Sequence, residues 1–546
     1  MKARTSKDVG RTGLANPDLA QRATAGIARG AALIAGLTIL SRLVGLVRTL
    51  VFSQTVGASC LGGAYVTANQ VPNLIYELVL GGALTTAMVP VLARSAERAA
   101  GDPAEKARVA HITSAMLTWS VVVLVPLTLV IAAAAGPIAS LLTPANANAH
   151  CVHADVVAVT RSMLVVFAPQ ALLYGLSVVF SGLLQAYRRF TGPTLAPAIS
   201  SLVLIASFLA FVPLSKGLPL AGLPLAAELV LSVGTTLGIA ALAVVTLVPT
   251  LRLHLRLRPA LRFPPGVARR AGGLAIVGVV ELIVIDLASV VTIALANGRG
   301  STGAVVIFGY ASQVFTSVSA VLSLSIVLSV FPVLSARDGV VFDQTCAGST
   351  RAVLLMSWLG TAMMAAIAVP AAHVLAQGPD QVPELIQGFV LFAPGLAAVG
   401  VIANLSRVMF AIGRLKVATA ALAGSWLLVI VADVVLAELV PARLVVAALA
   451  LGTTIGQTLV AVETQGRSPT WPSRFRRARH RIRRPSRSPD SVSGTSGESR
   501  CPAPASSPAE QNRRVCRLTA HRPGSRAARR LAAVSRLARW SARRRT

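Results

Sequence analysis

Charge is the scarcest property of this sequence. Only 13% of its 546 residues are Asp, Glu, Lys or Arg, against about 25% in soluble domains. With 54% hydrophobic residues and a mean hydropathy of +0.70, the chain reads as an integral membrane protein. Acids are scarcer than bases, 20 against 51, for a formal net charge of +31. An evenly spread excess would suit nucleic acid, but residues 466–546 alone hold 22 arginines, no lysine and three acids (Asp490, Glu498, Glu510), a net +19. No nucleic-acid partner is expected.

Cysteine is nearly absent. Cys60, Cys151, Cys346, Cys501 and Cys516 show neither CxxC spacing nor an even framework, so they read as isolated small apolar residues and not as disulfide or metal positions. Catalytic motifs are missing too. There is no HExxH, no Gly-rich phosphate loop, no GxSxG and no pair of acids on a long polar loop, so no enzyme is expected. His150, His153 and Asp155 share one short connection and read as a solvated loop in preference to a metal site. Residues 1–29 are polar and basic, with no A-x-A-like site after a short apolar core, so no cleavable signal peptide is expected.

What the chain does have is a succession of apolar runs about twenty residues long, the length that crosses a bilayer as helix. Broken by Pro, Gly or Arg clusters, they predict twelve spans near 30–57, 62–92, 109–142, 155–187, 193–213, 224–249, 270–296, 303–334, 350–376, 384–411, 415–438 and 442–463. The basic residues of the connections alternate. Sixteen follow even-numbered spans, among them Arg188, Arg189, Arg252, Arg256, Arg258 and Arg262, whereas only Lys216, Arg299 and Arg443 follow odd ones. The positive-inside rule then places the N-terminus and the even connections in the cytoplasm.

The expected organisation is an all-α polytopic protein of two six-helix lobes around a central cavity. A cytoplasmic tail (1–29) precedes an N-lobe (30–249), a basic linker (250–269) and a C-lobe (270–463). No sequence repeat between the lobes stands out. Residues 464–546, rich in Arg, Ser, Pro and Ala, allow two readings. One is a disordered cytoplasmic tail held near anionic headgroups. The other is a GC-rich gene translated out of frame.

Ionisable residues inside the spans are the functional candidates, because a charge at the bilayer centre must face protein or water. Ser41-Arg-Leu-Val-Gly-Leu-Val-Arg48 puts two arginines in the first span. Arg42 and Arg48 are six residues apart, about 240° around a helix, so they do not share a face. Glu77 of the second span is placed to pair with one of them, leaving surplus positive charge suited to a phosphate or pyrophosphate. In the C-lobe Glu281, Asp286 and Asp433, with hydroxyls such as Thr453, are candidates for a coupling-cation site. No other cofactor is expected. Arg161 and Arg407 lie near span ends and read as snorkelling or ion-paired residues.

The stretch S-R-L-V-G-L-V-R, then V-G-A, then A-Y-V-T-A-N-Q-V-P-N-L-I-Y-E-L-V-L-G-G-A-L-T-T-A-M-V-P-V-L (64–92) resembles the opening of the MurJ/MviN lipid II flippases. These belong to the multidrug/oligosaccharidyl-lipid/polysaccharide exporter superfamily, and Tyr-Glu-Leu followed by Gly-Gly resembles the family's actinobacterial branch. S-G-L-L-Q-A-Y-R-R-F-T-G-P-T-L-A-P (181–197) and N-L-S-R-V-M-F-A-I-G-R (404–414) resemble further junctions of that family.

The resemblance implies two lobes around a cationic cavity. Its implied activity is alternating access that carries undecaprenyl-pyrophosphate-linked peptidoglycan precursor to the outer leaflet of the bacterial plasma membrane. Arg42, Arg48 and Ser41 match the family's substrate-binding positions, and Asn73 and Glu77 join them as candidates. The implied partners are this lipid, membrane lipids, and proteins of cell-wall synthesis or division.

The sequence departs from the family where Gly63, Tyr76, Gly81, Gln313 and Thr316 stand in place of charged residues. Residues 464–546 also occupy the place of the family's helices thirteen and fourteen. Alternatives are export of another polyprenyl-linked glycan or a drug, and a truncated, inactive paralogue with a binding or regulatory role.

Overall fold

A computed structural model of the chain describes residues 17–78, 92, 98, 102–146, 150–215, 218, 220–262, 267–327, 329–330, 340–411 and 414–466. Gly81 and residues 467–546, and with them both readings of the Arg-rich tail, lie outside the described residues. Among the described residues the regular structure is helical, with no strand. Bilayer lipid offers the backbone no hydrogen bonds, so each span satisfies its own.

Among the described residues eleven segments are long and apolar enough to cross a membrane. The remaining expected span, 62–92, is helical over Cys60–Leu78, and its residues 79–91 lie outside the described residues. Large apolar side chains such as Leu209, Leu237, Leu355 and Leu427 point outward, as expected where the solvent is hydrocarbon.

The N-lobe comprises α1 (Pro17–Thr55), α2 (Cys60–Leu78), α3 (Pro103–Ala133), α4 (Ala135–Leu142), α5 (His153–Phe167), α6 (Gln170–Ala186), α7 (Thr191–Ser215) and α8 (Leu225–Leu251). The C-lobe comprises α9 (Val267–Arg299), α10 (Ala304–Ser319), α11 (Val340–Leu375), α12 (Gln381–Phe392), α13 (Gly395–Ala411), α14 (Leu415–Leu439) and α15 (Val445–Gly466). Helix α1 begins at Pro17, so part of the expected N-terminal tail is helical. Proline suits a first helical turn, where its missing N–H would be unpaired anyway.

The fourth and tenth spans are not continuous. Each breaks at Phe-Ala-Pro, residues 167–169 between α5 and α6 and residues 392–394 between α12 and α13. Proline removes a helical donor and disfavours helix at the residue before it. Phe167 and Phe392 are buried, at 0% and 2% exposure. Corresponding spans of the two lobes therefore share a tripeptide and a kink, a repeat that the sequence reading missed.

The basic linker is a strap fixed to the N-lobe. Residues 254–262 run without helix along one face of α3. Ser114 Oγ and Thr118 Oγ1 accept from the backbone N–H groups of Arg258 and Ala260. Trp119 Nε1 donates to the Leu261 carbonyl, and His111 Nε2 lies 3.0 Å from that of Arg262. Leu253 and Leu255 pack on the cluster around Val109, Ile112 and Met116, while Arg256, Arg258 and Arg262 stay exposed.

At the opposite end the lobes are sewn together. Gln54 Nε2 donates to the Val374 carbonyl at 2.7 Å, and Gln381 Nε2 to that of Ala58 at 3.2 Å. Asn146 Nδ2 donates to the carbonyls of Asn297 and Gly300, both at 2.8 Å. Asn297 Nδ2 reaches back to Thr67 Oγ1 and the Leu142 carbonyl, and the His150 N–H donates to Thr302 Oγ1.

This end also corrects the reading of cysteine. Cys60 and Cys151 form a disulfide, with Cα atoms 5.9 Å apart. Their spacing of 91 residues carries no local signal; the fold brings the α1–α2 turn beside the loop after α4. The nearby His153 ring bonds the Thr143 carbonyl, and among the described residues no group of three His, Cys, Asp or Glu could hold a metal. Cys346 is buried and in no disulfide among the described residues, as the isolated apolar reading expects.

Candidate functional site

A cavity of about 540 Å³ lies between the lobes, walled by α1, α2, α6, α7 and α8 on one side and α9, α10, α12, α14 and α15 on the other. Its wall mixes amides and hydroxyls (Asn69, Gln70, Asn73, Thr235, Gln313, Thr316) with aromatic rings.

Toward the disulfide end the rings close it. Phe52 packs on Tyr65, Phe208 and Tyr310 with centroids 5.3, 5.2 and 6.5 Å away. Tyr65 shares a buried 2.8 Å hydrogen bond with Thr235. Such ring pairs contribute about 0.5–1.5 kcal/mol each beyond buried area. Because Phe52 and Tyr65 belong to the N-lobe and Tyr310 to the C-lobe, the knot joins the lobes.

Of the predicted residues, Arg48, Asn73, Glu77 and Thr453 line this cavity. Arg48 precedes Phe52 by one turn of α1, and its guanidinium lies within electrostatic reach of the Tyr65 and Tyr174 phenols. Among the described residues it has no ion-pair partner. An arginine at the bilayer centre costs about 2.5–3.5 kcal/mol on insertion scales, and a polar cavity large enough to hold water is what offsets that here.

Arg42 and Ser41 are not on the wall. Arg42 is exposed, on the same side of α1 as the exposed Ile39 and Leu46. The 240° offset read from sequence thus separates the two arginines.

The expected pairing of Glu77 with an α1 arginine is not formed; instead Glu77 lies within electrostatic reach of Asp286, an acid facing an acid across the lobes. Glu281 and Arg407 approach each other within the C-lobe, as an ion-paired reading of Arg407 expects. Asp433, 1% exposed, accepts a 2.9 Å hydrogen bond from Thr292 through Oδ2, while its Oδ1 is buried without a partner. Gly452 lets α15 close on Asp433, since a Cβ there would strike Oδ1. Asp433 therefore packs against α15 at Gly452, the sequence neighbour of Thr453, with Thr292 bonded to it, whereas Asp286 lies within electrostatic reach of Glu77.

Tyr174 is the wall residue the sequence reading passed over. It stacks on Tyr76 with centroids 4.4 Å apart, and its hydroxyl donates to Asn73 Oδ1 at 3.0 Å. A tyrosine in the apolar run of the fourth span gives no periodic signal that could have pointed to it.

Comparison with known proteins agrees with this architecture. The family described as "Lipid II flippase MurJ" matches residues 52–465. The lipid II flippase MurJ of Burkholderia cenocepacia is 31% identical over 180 residues, 32% of this chain and 32% of that protein. The probable lipid II flippase MurJ of Synechocystis is 26% identical over 181 residues, 33% of this chain and 31% of that protein. The matched stretches thus span about a third of the length of these curated relatives.

A solved lipid II flippase MurJ in an inward closed conformation superposes with a TM-score of 0.64 at 16% identity, covering 80% of this chain and 87% of that one. An inward-facing multidrug resistance MATE family transporter of the MOP superfamily gives 0.62 at 13%, covering 82% and 96%. At these identities the structures speak for the fold alone. With the family match covering most of its length, the chain belongs to the MurJ lipid II flippase family.

Proposed function

We propose that this chain moves undecaprenyl-pyrophosphate-linked peptidoglycan precursor from the inner to the outer leaflet of the bacterial plasma membrane by alternating access. Family membership supports the reading, and one observation carries it: Arg48 stands on the wall of an interlobe cavity without an ion-pair partner among the described residues. A guanidinium held in a sparsely hydrated site binds phosphate oxygens in a bidentate fork. In this reading Arg48 takes the diphosphate, Asn73 donates beside it, and Arg42 and Ser41 act outside the cavity wall. Glu77 sets the cavity's acidic edge.

The orientation follows the charge asymmetry, with the N-terminus and C-terminal tail cytoplasmic. The disulfide end then faces the oxidising side of the membrane, where such bonds persist. Asp433 and Thr453 fit a coupling cation, because Asp433 Oδ1 is buried and unpartnered. A bound cation would neutralise that carboxylate. Asp286 Oδ1 is likewise buried without a partner, within electrostatic reach of Glu77 and off the cavity wall.

The test is complementation of a flippase-depleted strain, together with a leaflet-accessibility assay for lipid II with and without the protein. Arg48→Ala is expected to abolish both activities while membrane insertion stays intact. Normal growth of that variant would sink the assignment.

A further inference from the structure

Arg48 is a single cation, and a diphosphate offers more oxygens than one guanidinium can satisfy. Uncharged help on the same wall includes the Asn73 side chain, which has one acceptor oxygen and two N–H donors. Which end faces a ligand is decided by what holds the other end. Tyr174 holds it: its hydroxyl donates to Asn73 Oδ1 at 3.0 Å.

We infer that Tyr174 is a positioning residue, which fixes the Asn73 amide so that its N–H donors are presented to the phosphate held by Arg48. The inference rests on the diphosphate-lipid reading proposed above.

Three observations carry it. Tyr174 is 7% exposed, and its hydroxyl donates to no other acceptor among the described residues. Turning the amide over would bring N–H against the phenol and leave a phenolic proton unsatisfied, which costs about 1–3 kcal/mol when buried. The ring itself is locked, because Tyr76 stacks on it at 4.4 Å with 33° between the planes. Finally, Asn73, Tyr174 and Arg48 line the same cavity, and Arg48 lies within electrostatic reach of the Tyr174 phenol. With Oδ1 engaged, Asn73 Nδ2 makes no hydrogen bond among the described residues and is left for a ligand. The site is thus one cation plus one oriented neutral donor, which discriminates phosphate oxygens from a cationic or purely apolar cargo.

The test uses the full-length protein in nanodiscs, with two probes: lipid II, and farnesyl diphosphate, which carries the diphosphate without the glycan. Tyr174→Phe keeps the stacked ring and removes only the donor. It is expected to weaken both probes about five- to tenfold, and Asn73→Ala to do the same.

The informative measurement is the double variant. If Tyr174 acts through Asn73, the double variant binds no more weakly than Asn73→Ala alone, a non-additivity that two independent structural losses would not produce. Binding of Tyr174→Phe within about twofold of the parent, or losses that multiply, overturns the inference. If the parent binds farnesyl diphosphate with this pattern but not lipid II, the positioning role stands and the proposed cargo falls. If Arg48→Ala abolishes lipid II binding but Tyr174→Phe does not weaken it, the cargo stands and the positioning role falls. A parent that binds neither probe overturns both.

Discussion

Cys60 at the start of α2 and Cys151 in the loop before α5 are covalently joined, and each belongs to a segment that holds the C-lobe. The α1–α2 turn receives Gln381 on the Ala58 carbonyl, and the loop after α4 sends Asn146 to the carbonyls of Asn297 and Gly300. The bond therefore makes the N-lobe half of the seam one rigid piece. Closing a loop this long stabilises a folded chain by about 2–4 kcal/mol in typical cases. Cys60→Ser is expected to lower the thermal midpoint clearly, and Cys151→Ser to match it, with no further loss in the double variant. In intact cells a membrane-impermeant maleimide should label Cys60 and Cys151 only after reduction. Labelling before reduction would remove the disulfide, and protection after it would overturn the orientation.

The two arginines of α1 should separate functionally. Arg48 shares its face with Phe52 and lines the cavity, whereas Arg42 lies on the exposed side with Ile39 and Leu46. Arg42→Ala is expected to lower lipid II binding by less than about threefold, the size of a solvated surface charge effect. Arg48→Ala should lower it more than about thirtyfold, as for a desolvated charge-assisted contact. Equal losses would mean that α1 rotates or bends to bring both residues to the substrate.

How far the sequence reveals this arrangement follows from the physics of each feature. Membrane spans were legible because lipid forces every span to be long and apolar, whatever its neighbours. Arg48 was legible because a charge there needs a reason. Its separation from Arg42 followed from helical geometry alone. Pairings between distant elements were not legible: the Cys60–Cys151 bond, Glu77 against Asp286, and Tyr174 against Asn73 depend on which helices pack. The strap was half visible. Its arginines marked a basic connection between the lobes, but its docking depends on His111, Ser114, Thr118 and Trp119 sharing one face of α3, and each reads as an ordinary interfacial residue. The Phe-Ala-Pro repeat is short enough that only two matching kinks make it stand out.

The seam should yield to a single methyl group at Gly303. This residue has φ +75°, a conformation that side chains other than glycine rarely adopt, and it packs directly on the Ala58 backbone. A Cβ would collide with the Ala58 carbonyl and Cα, and backbone cannot swing aside as a flexible side chain can. Strain in this φ region costs about 1–3 kcal/mol wherever the lobes sit, but the collision with Ala58 is present only while the α10 start lies against the α1–α2 turn. Gly303→Ala should therefore favour separation of the lobes at the disulfide end, by about tenfold for each 1.4 kcal/mol. Thr67 lies beneath the seam, accepting from Asn297 Nδ2 at 2.8 Å, and so provides the reporter. A Thr67→Cys substitution should react slowly with impermeant maleimide from outside in the parent, and about tenfold faster or more when Gly303→Ala is added. Unchanged reactivity, with the protein folded, would show that the Gly303–Ala58 contact does not control opening at this end.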